Sequence, residues 1–244
     1  MLYENENIHL LWKPRGLPST FGPEKSLLDF FSDKDQLDKL LQNNTDFEYC
    51  LPYISLDWYT KVEDISIFLN NQLTQFSQEQ EFGLLNRLDN DTGGFLYFAK
   101  TSEEASWYKD LQSRNQVQKT YLAEVVGNPF YSSPEISKTI STPIMHHSQS
   151  EDKMITIKSL WDNLKWRGKL HNVSTYIQLI HYNSEKNTSL IKVVITKWVR
   201  HQIRVHLSSS GSPIIGDILY NKKSNKEQQL QLWSISINFT NYMK

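Results

Sequence analysis

The stretch Asn86-Arg87-Leu88-Asp89-Asn90-Asp91-Thr92-Gly93-Gly94-Phe95-Leu96-Tyr97-Phe98-Ala99-Lys100 decides how this chain is read. An Arg-Leu-Asp triplet runs into a short polar turn, then two glycines, then an apolar run that predicts a buried strand over 94–99. Charged groups beside a glycine turn at the mouth of a strand suit a reactive site. The scaffold fixes the Asp89 carboxylate on one side, and the glycines leave room for a ligand to approach backbone. The same residues also fit a surface hairpin in which Asp89 or Asp91 only accepts backbone hydrogen bonds. The turn by itself leaves both readings open.

A segment more than a hundred residues later separates them. Lys197-Trp-Val-Arg-His-Gln-Ile-Arg-Val-His-Leu207 is followed by Gly211-Ser-Pro-Ile-Ile-Gly-Asp-Ile-Leu-Tyr220. Together with the first stretch it resembles the signature motifs of RNA pseudouridine synthases of the RluA type, which modify ribosomal and transfer RNA. Lys13-Pro-Arg-Gly-Leu-Pro18 resembles the family's early Lys-Pro-x-Gly-Leu, and Lys119-Thr-Tyr-Leu-Ala-Glu-Val-Val-Gly127 its Lys-x-Tyr-x-Ala-x-Val-x-Gly strand. The four motifs fall in the family's order, and the resemblance runs from about Ile8 to Phe239.

That resemblance implies a chemistry. The bond between uracil N1 and ribose C1′ is cleaved, the base rotates, and C5 rejoins the sugar. The redox state does not change, so no cofactor is expected. One carboxylate suffices, as nucleophile at C1′ or base at C2′, and by resemblance it is Asp89. Desolvation beneath a base would disfavour its ionised form; Arg204, expected on one helix face with Arg200 one turn away, is assigned the offsetting charge. Tyr121 is the family tyrosine that stacks on the extruded uracil, a contact worth ~1–3 kcal/mol, comparable to the cost of flipping a base. Arg87, Arg200, His201, Gln202 and Lys13 are the expected substrate-binding residues. Lys13, Arg15, Arg87, Arg200 and Arg204 are expected to share a cleft.

Composition sets bounds on these readings. The chain has 244 residues, 39% hydrophobic and 12% aromatic, which is globular composition. A formal net charge of -1 does not announce nucleic acid, though a local cationic cleft can coexist with acidic flanks. Lone Cys50 excludes an intrachain disulfide and a cysteine-cluster zinc site. His201 and His206 lie five apart, whereas a zincin-type pair needs four, and no metal site is expected. With no signal peptide and no long apolar stretch, the expectation is a soluble cytoplasmic protein, a monomer with no obligate protein partner and no membrane association, whose partner is structured ribosomal or transfer RNA.

Periodicity predicts an α+β chain with a mainly antiparallel, mixed sheet and flanking helices, the pseudouridine synthase fold by resemblance. Strands are predicted at 8–12, 94–99, 120–126, 176–180, 190–195 and 233–239. Helices are predicted after Ser26, over 65–76, and from a capping box at Thr101 and Glu104 toward Arg114. Asn43-Asn-Thr-Asp46 reads as a break, and 129–169 as loops with one hairpin, with His146-His147 in a polar loop and Asp217 a turn former. The whole chain, 1–244, is expected to be one catalytic domain with a helical insertion over about 33–81. With Lys-Pro starting at residue 13, no N-terminal RNA-binding domain is expected. Gly93 stands where the family has Ser, which predicts a looser turn, and Trp198-Val199 stand where Thr-Gly is common. A non-catalytic RNA-binding relative is the competing reading; a glycosidase would need a second carboxylate across the bond, and none has comparable support.

Overall fold

The computed structural model describes residues 1–42, 45–131, 135–157 and 166–239, and these resolve into two compact units, Met1–Val117 with Trp233 onward, and Gln118–Leu232. Asn43, Asn44 and Pro134 lie outside the described residues.

The first unit opens with β1 (Leu2–Glu4) and β2 (Ile8–Lys13). Then come α1 (Lys34–Gln42), α2 (Thr45–Cys50), the short β3 (Thr60–Lys61) and α3 (Ile65–Gln75), followed by β4 (Gly93–Ala99) and α4 (Ser102–Ser113). β1 pairs antiparallel with β2 and β3, and β2 pairs antiparallel with β4 from Ile8 opposite Ala99 to Lys13 opposite Gly94. Every residue of β2 and β4 is buried, the burial on both faces that an unbroken apolar run implies. Trp12, Phe47 and Phe95 meet edge to face at 5.0–6.2 Å, and Phe31, Phe68 and Phe98 form a second cluster with ring centroids 5.4–5.6 Å apart. Phe47 and Phe68 come from α2 and α3, so the expected insertion supplies core to the strands. α4 starts as predicted, with the Thr101 hydroxyl accepting from Glu104 N and the Glu104 carboxylate from Thr101 N.

The second unit is built from β5 (Val117–Val126), β6 (Ser137–Ile140), β7 (Ile144–His147), β8 (Met154–Thr156), β9 (Trp166–His171), β10 (Thr175–Asn183), β11 (Thr188–Ile195) and α5 (Gln202–Ser209). β11 pairs antiparallel with β5 and β10, and β10 with β6. β7 lies between β8 and β9 in a separate three-stranded antiparallel sheet. The one hairpin expected in 129–169 is present as the antiparallel pair β7–β8, and the loop reading of the rest is corrected: β6 and the start of β9 also lie there, and His146-His147 belongs to β7. β6 and β9 escape a periodicity search because they are four and six residues long and β9 is largely exposed, with no apolar alternation to register. Finally β12 (Leu232–Phe239) returns to the first unit and runs parallel to β4, Trp233 opposite Gly93 and Ser234 opposite Gly94. That parallel pair and the antiparallel majority give the mixed α+β architecture read from the sequence.

Candidate active site

In the first unit the Asn86–Gly94 segment is clamped from several directions. Leu85 N donates to Tyr97 O at 2.7 Å, and the Asn86 side chain accepts from Tyr97 N at 2.8 Å, so the approach to the motif runs beside β4. The Ser19 hydroxyl donates to Leu88 O at 3.0 Å and accepts from Leu88 N at 3.1 Å. One residue on, Thr92 N donates to Asp89 O at 3.0 Å and closes a turn. Asp89 is half-buried at its head, while Asn90 and Asp91 are exposed. Gly94 then takes φ +110°, and a Cβ there would lie 2.2 Å from Ser234 O. Only glycine allows β12 to approach so closely.

Lys13 completes this clamp. It is fully buried, and its ammonium donates to Pro14 O, Leu17 O and Asn90 O at 2.9, 2.7 and 3.0 Å. Burial pulls it down to about 7, with Asp91 and Asp89 pulling the other way. Three carbonyls use all three ammonium donors, so Lys13 is corrected from a substrate-binding residue to a brace that fixes the turn carrying Asp89.

Arg15 is likewise spent internally. Its guanidinium makes a two-point pair with Asp46 of α2, both contacts 2.6 Å, and lies 5.2 Å over the Trp233 ring. A Cβ at Gly93 would meet Trp233 Cδ1 at 2.9 Å and Arg15 Cγ at 3.1 Å. The expected loosening is thus corrected: the space of a serine side chain is filled by Trp233 and Arg15. Arg87 points outward, 59% exposed and paired with Glu81 at 2.6 Å. Glu81 and Phe82 both hold left-handed backbone (φ 51°), a strained pair for non-glycine residues, and Gln72 steadies the turn by donating to Phe82 O at 2.7 Å.

In the second unit Tyr121 is buried on β5 opposite Val193. Six consecutive residues of α5, Gln202–Leu207, are buried. Arg204 forks onto Asp217, Nε to Oδ2 and Nη2 to Oδ1 both at 2.9 Å, and its guanidinium lies 5.3 Å over the Tyr220 ring. Asp217 Oδ1 also accepts from Leu219 N and Tyr220 N, the turn-forming role read from sequence, to which the structure adds the ion pair. Arg200 precedes the helix, is exposed, and contacts Glu151 O and Asp152, both at 3.2 Å. Arg200 and Arg204 therefore do not share a helix face. The reason is His201, whose left-handed φ of 54° breaks the chain between Arg200 and α5.

His201 itself is half-buried, with Nδ1 3.0 Å from the Tyr220 hydroxyl. Gln202 is buried and spends its amide on Val199 N, Ser174 O and Thr175 Oγ1, so it braces α5 rather than presenting itself to a substrate. His206, to which the sequence assigned no role, bridges Thr175 Oγ1 and Thr142 O, both at 2.8 Å. The Thr142 carbonyl can only accept, so Nε2 carries a proton, and burial disfavours the charged ring. Among the described residues, no three His, Cys, Asp or Glu side chains cluster as a metal site, and no helix is long and apolar enough to cross a membrane.

Residues 7–209 match the sequence model of the RNA pseudouridylate synthase family. The ribosomal large subunit pseudouridine synthase C of Rickettsia bellii is 31% identical over 220 residues, 90% of this chain and 56% of that protein. An uncharacterized RNA pseudouridine synthase of Helicobacter pylori is 34% identical over 148 residues, 60% of this chain and 46% of that protein. Among solved structures, Human RNA Pseudouridylate Synthase Domain Containing 1 has the same fold, with a TM-score of 0.62 at 17% identity, covering 99% of this chain and 79% of that one. With more than three quarters of its length matched, this chain belongs to the RNA pseudouridylate synthase family. It spans about half the length of the curated relatives it matches, 56%, 42% and 40% for three of them.

Proposed function

We propose that this chain isomerises uridine to pseudouridine in structured ribosomal RNA or transfer RNA, with Asp89 as the reacting carboxylate. The observation that carries the reading is the bracing of the Asp89 turn. Lys13, Ser19 and the Gly94–Ser234 approach hold a half-buried carboxylate on a fixed backbone, the preorganisation that a reacting group needs. Two relatives are named as ribosomal large subunit enzymes, which favours ribosomal over transfer RNA. The roles of Tyr121 in stacking on the uracil and of Arg204 in keeping the carboxylate ionised carry over from the motif resemblance, position by position.

The test is tritium release from RNA labelled at uridine C5, beside filter binding and a melt. Asp89→Asn keeps the size of the side chain and removes its charge. Turnover is expected to vanish while RNA affinity stays within about threefold and the melt is unchanged, since less charge faces the phosphates. Substantial turnover by the variant would refute the assignment and move it to exposed Asp91. Asp217 is not the alternative, because its carboxylate already serves Arg204 and two backbone amides. RNA binding by the wild type with no tritium release would favour the non-catalytic relative instead.

A further inference from the structure

Lys119 begins the Lys-Thr-Tyr segment of β5, two residues before Tyr121, so both side chains leave the strand on one face. The register places Lys119 opposite Ile195, Tyr121 opposite Val193 and Ala123 opposite Ile191, with Ile177 beyond Val193 on β10. All of these are buried. Lys119 is the one charged side chain of this apolar patch, and it is only 6% exposed.

Its ammonium has no hydrogen-bond or ion-pair partner among the described residues. The other buried cations are engaged, Lys13 with three carbonyls and Arg204 with Asp217. Burial brings Lys119 down to about 8, with no neighbouring charge to offset it. An unpaired buried charge is a standing cost to a fold, and a methionine of similar reach would avoid it. A partner supplied by a ligand accounts for the residue. Two residues along a strand is about 6.8 Å, so the long Lys119 side chain leaves the strand beside the Tyr121 ring on the same face.

We propose that Lys119 contacts the substrate: its ammonium donates a hydrogen bond to a ring carbonyl of the uracil stacked on Tyr121, and stabilises the negative charge that the base carries once released from ribose. This rests on the isomerase reading above. When the C1′–N1 bond breaks, its electron pair goes to N1 and spreads onto the two ring carbonyl oxygens. The ammonium keeps its proton and lowers the energy of that anion, a fixed charge placed where charge develops. On rejoining, an electron pair of the ring forms the C5–C1′ bond, the C5 hydrogen leaves as a proton to solvent, and N1 takes up one proton in its place, so atoms and charge balance. No oxidant or reductant enters.

The experiment uses the full chain and in vitro transcribed large-subunit ribosomal RNA, made once with uridine and once with 5-fluorouridine in its place. Fluorine withdraws electrons, so that base leaves as an anion with less assistance. Single-turnover cleavage of the N-glycosidic bond is read by nucleoside analysis. Lys119→Met is expected to slow cleavage of uridine on the order of 100-fold, as for loss of one donor to a developing charge, with affinity within about threefold. On 5-fluorouridine RNA the loss is expected to shrink to about tenfold or less, since the departing base needs less stabilisation. The melting temperature should hold or rise, because a buried unpaired charge is gone. If Lys119→Met does not fold, Lys119→Gln carries the same comparison. Equal losses on both RNAs would overturn the proposal in favour of a packing role. Loss of affinity alone, steepest at low salt, would overturn it in favour of a phosphate contact. A wild type that converts no uridine would overturn the isomerase reading itself, and this inference with it; an active wild type matched by Lys119→Met would overturn only the inference.

Discussion

Replacing Arg204 by methionine is the perturbation whose size the structure sets most directly. Asp217 is 1% exposed, and its carboxylate is held by the Arg204 fork at 2.9 Å on each arm and by two backbone amides at 3.0 Å. In Arg204→Met the amides remain and the cation is gone, leaving a buried charge without its counterion. Breaking a buried pair from one side costs about 3–5 kcal/mol, a large share of the ~5–15 kcal/mol that holds a typical domain together. Asp217→Asn should cost a comparable amount, because the new amide turns a donor toward the guanidinium. The double variant Arg204→Met/Asp217→Asn should cost less than the sum, with a coupling energy of about 2–3 kcal/mol. Arg204→Lys keeps the charge and loses the planar two-point geometry, so it should recover less than half of the loss. Urea denaturation of the four variants and the wild type, read by tryptophan fluorescence, measures each term. Single losses that add to within ~0.5 kcal/mol would show that the pair does not stabilise the second unit, and the argument would fail.

Arg87 and Arg200 are exposed and paired only with carboxylates or a carbonyl at the surface, so they are open to phosphates in a way that Lys13 and Arg15 are not. Replacing both by alanine should reduce the log–log salt slope of RNA binding by about 1.4–1.8, at ~0.7–0.9 per phosphate; an unchanged slope would remove both from the RNA contact. Burial and Lys100 pull His9 down to about 4 against the opposing pull of Glu4, and burial lowers His206 as well. Both groups take up protons more readily when unfolded, so stability should be lost as pH falls from about 6.5 toward 4, by about 3 kcal/mol for His9 at full extent. Melts of His9→Leu between pH 7.5 and 4.5 should show a shallower acid limb than the wild type, and an identical limb would clear His9 of the effect.

Much of the fold was legible where one physical signal dominated. The unbroken apolar run 94–99 could only be a doubly covered strand, and the Thr101–Glu104 pair announced its helix through side-chain chemistry alone. The α3 helix was also placed correctly, yet its buried stripe is Ile65, Phe68, Leu69 and Gln72, while Ile67 is 61% and Leu73 49% exposed. Gln72 was invisible because a glutamine earns burial only through its acceptors, here Phe82 O and Ala99 O, which come from distant parts of the sequence. Beyond the one hairpin, β7–β8, the strands between 129 and 171 are not legible in the sequence for a related reason. Strands so short take their pairing from neighbours rather than from their own pattern.

The motif residues teach a sharper lesson, because a motif reports that a residue is required and is silent about what requires it. Lys13 and Gln202 stand inside segments that resemble a catalytic family, and both were assigned to substrate. Their side chains spend every polar atom on backbone or neighbouring side chains of their own unit. Arg204 is tied to Asp217, so one side chain of the Arg-His-Gln-Ile-Arg segment is bound to the Gly-Asp-Ile-Leu-Tyr segment that follows it. The spacing of those two segments is thus a folding constraint before it is a catalytic one. Counting donors and acceptors separates the two kinds of requirement: a buried polar group whose donors and acceptors are all used internally has none left to turn toward a ligand. By that count Lys13 and Gln202 brace the scaffold, whereas the ammonium of Lys119, two residues from Tyr121, keeps its donors for the contact proposed above.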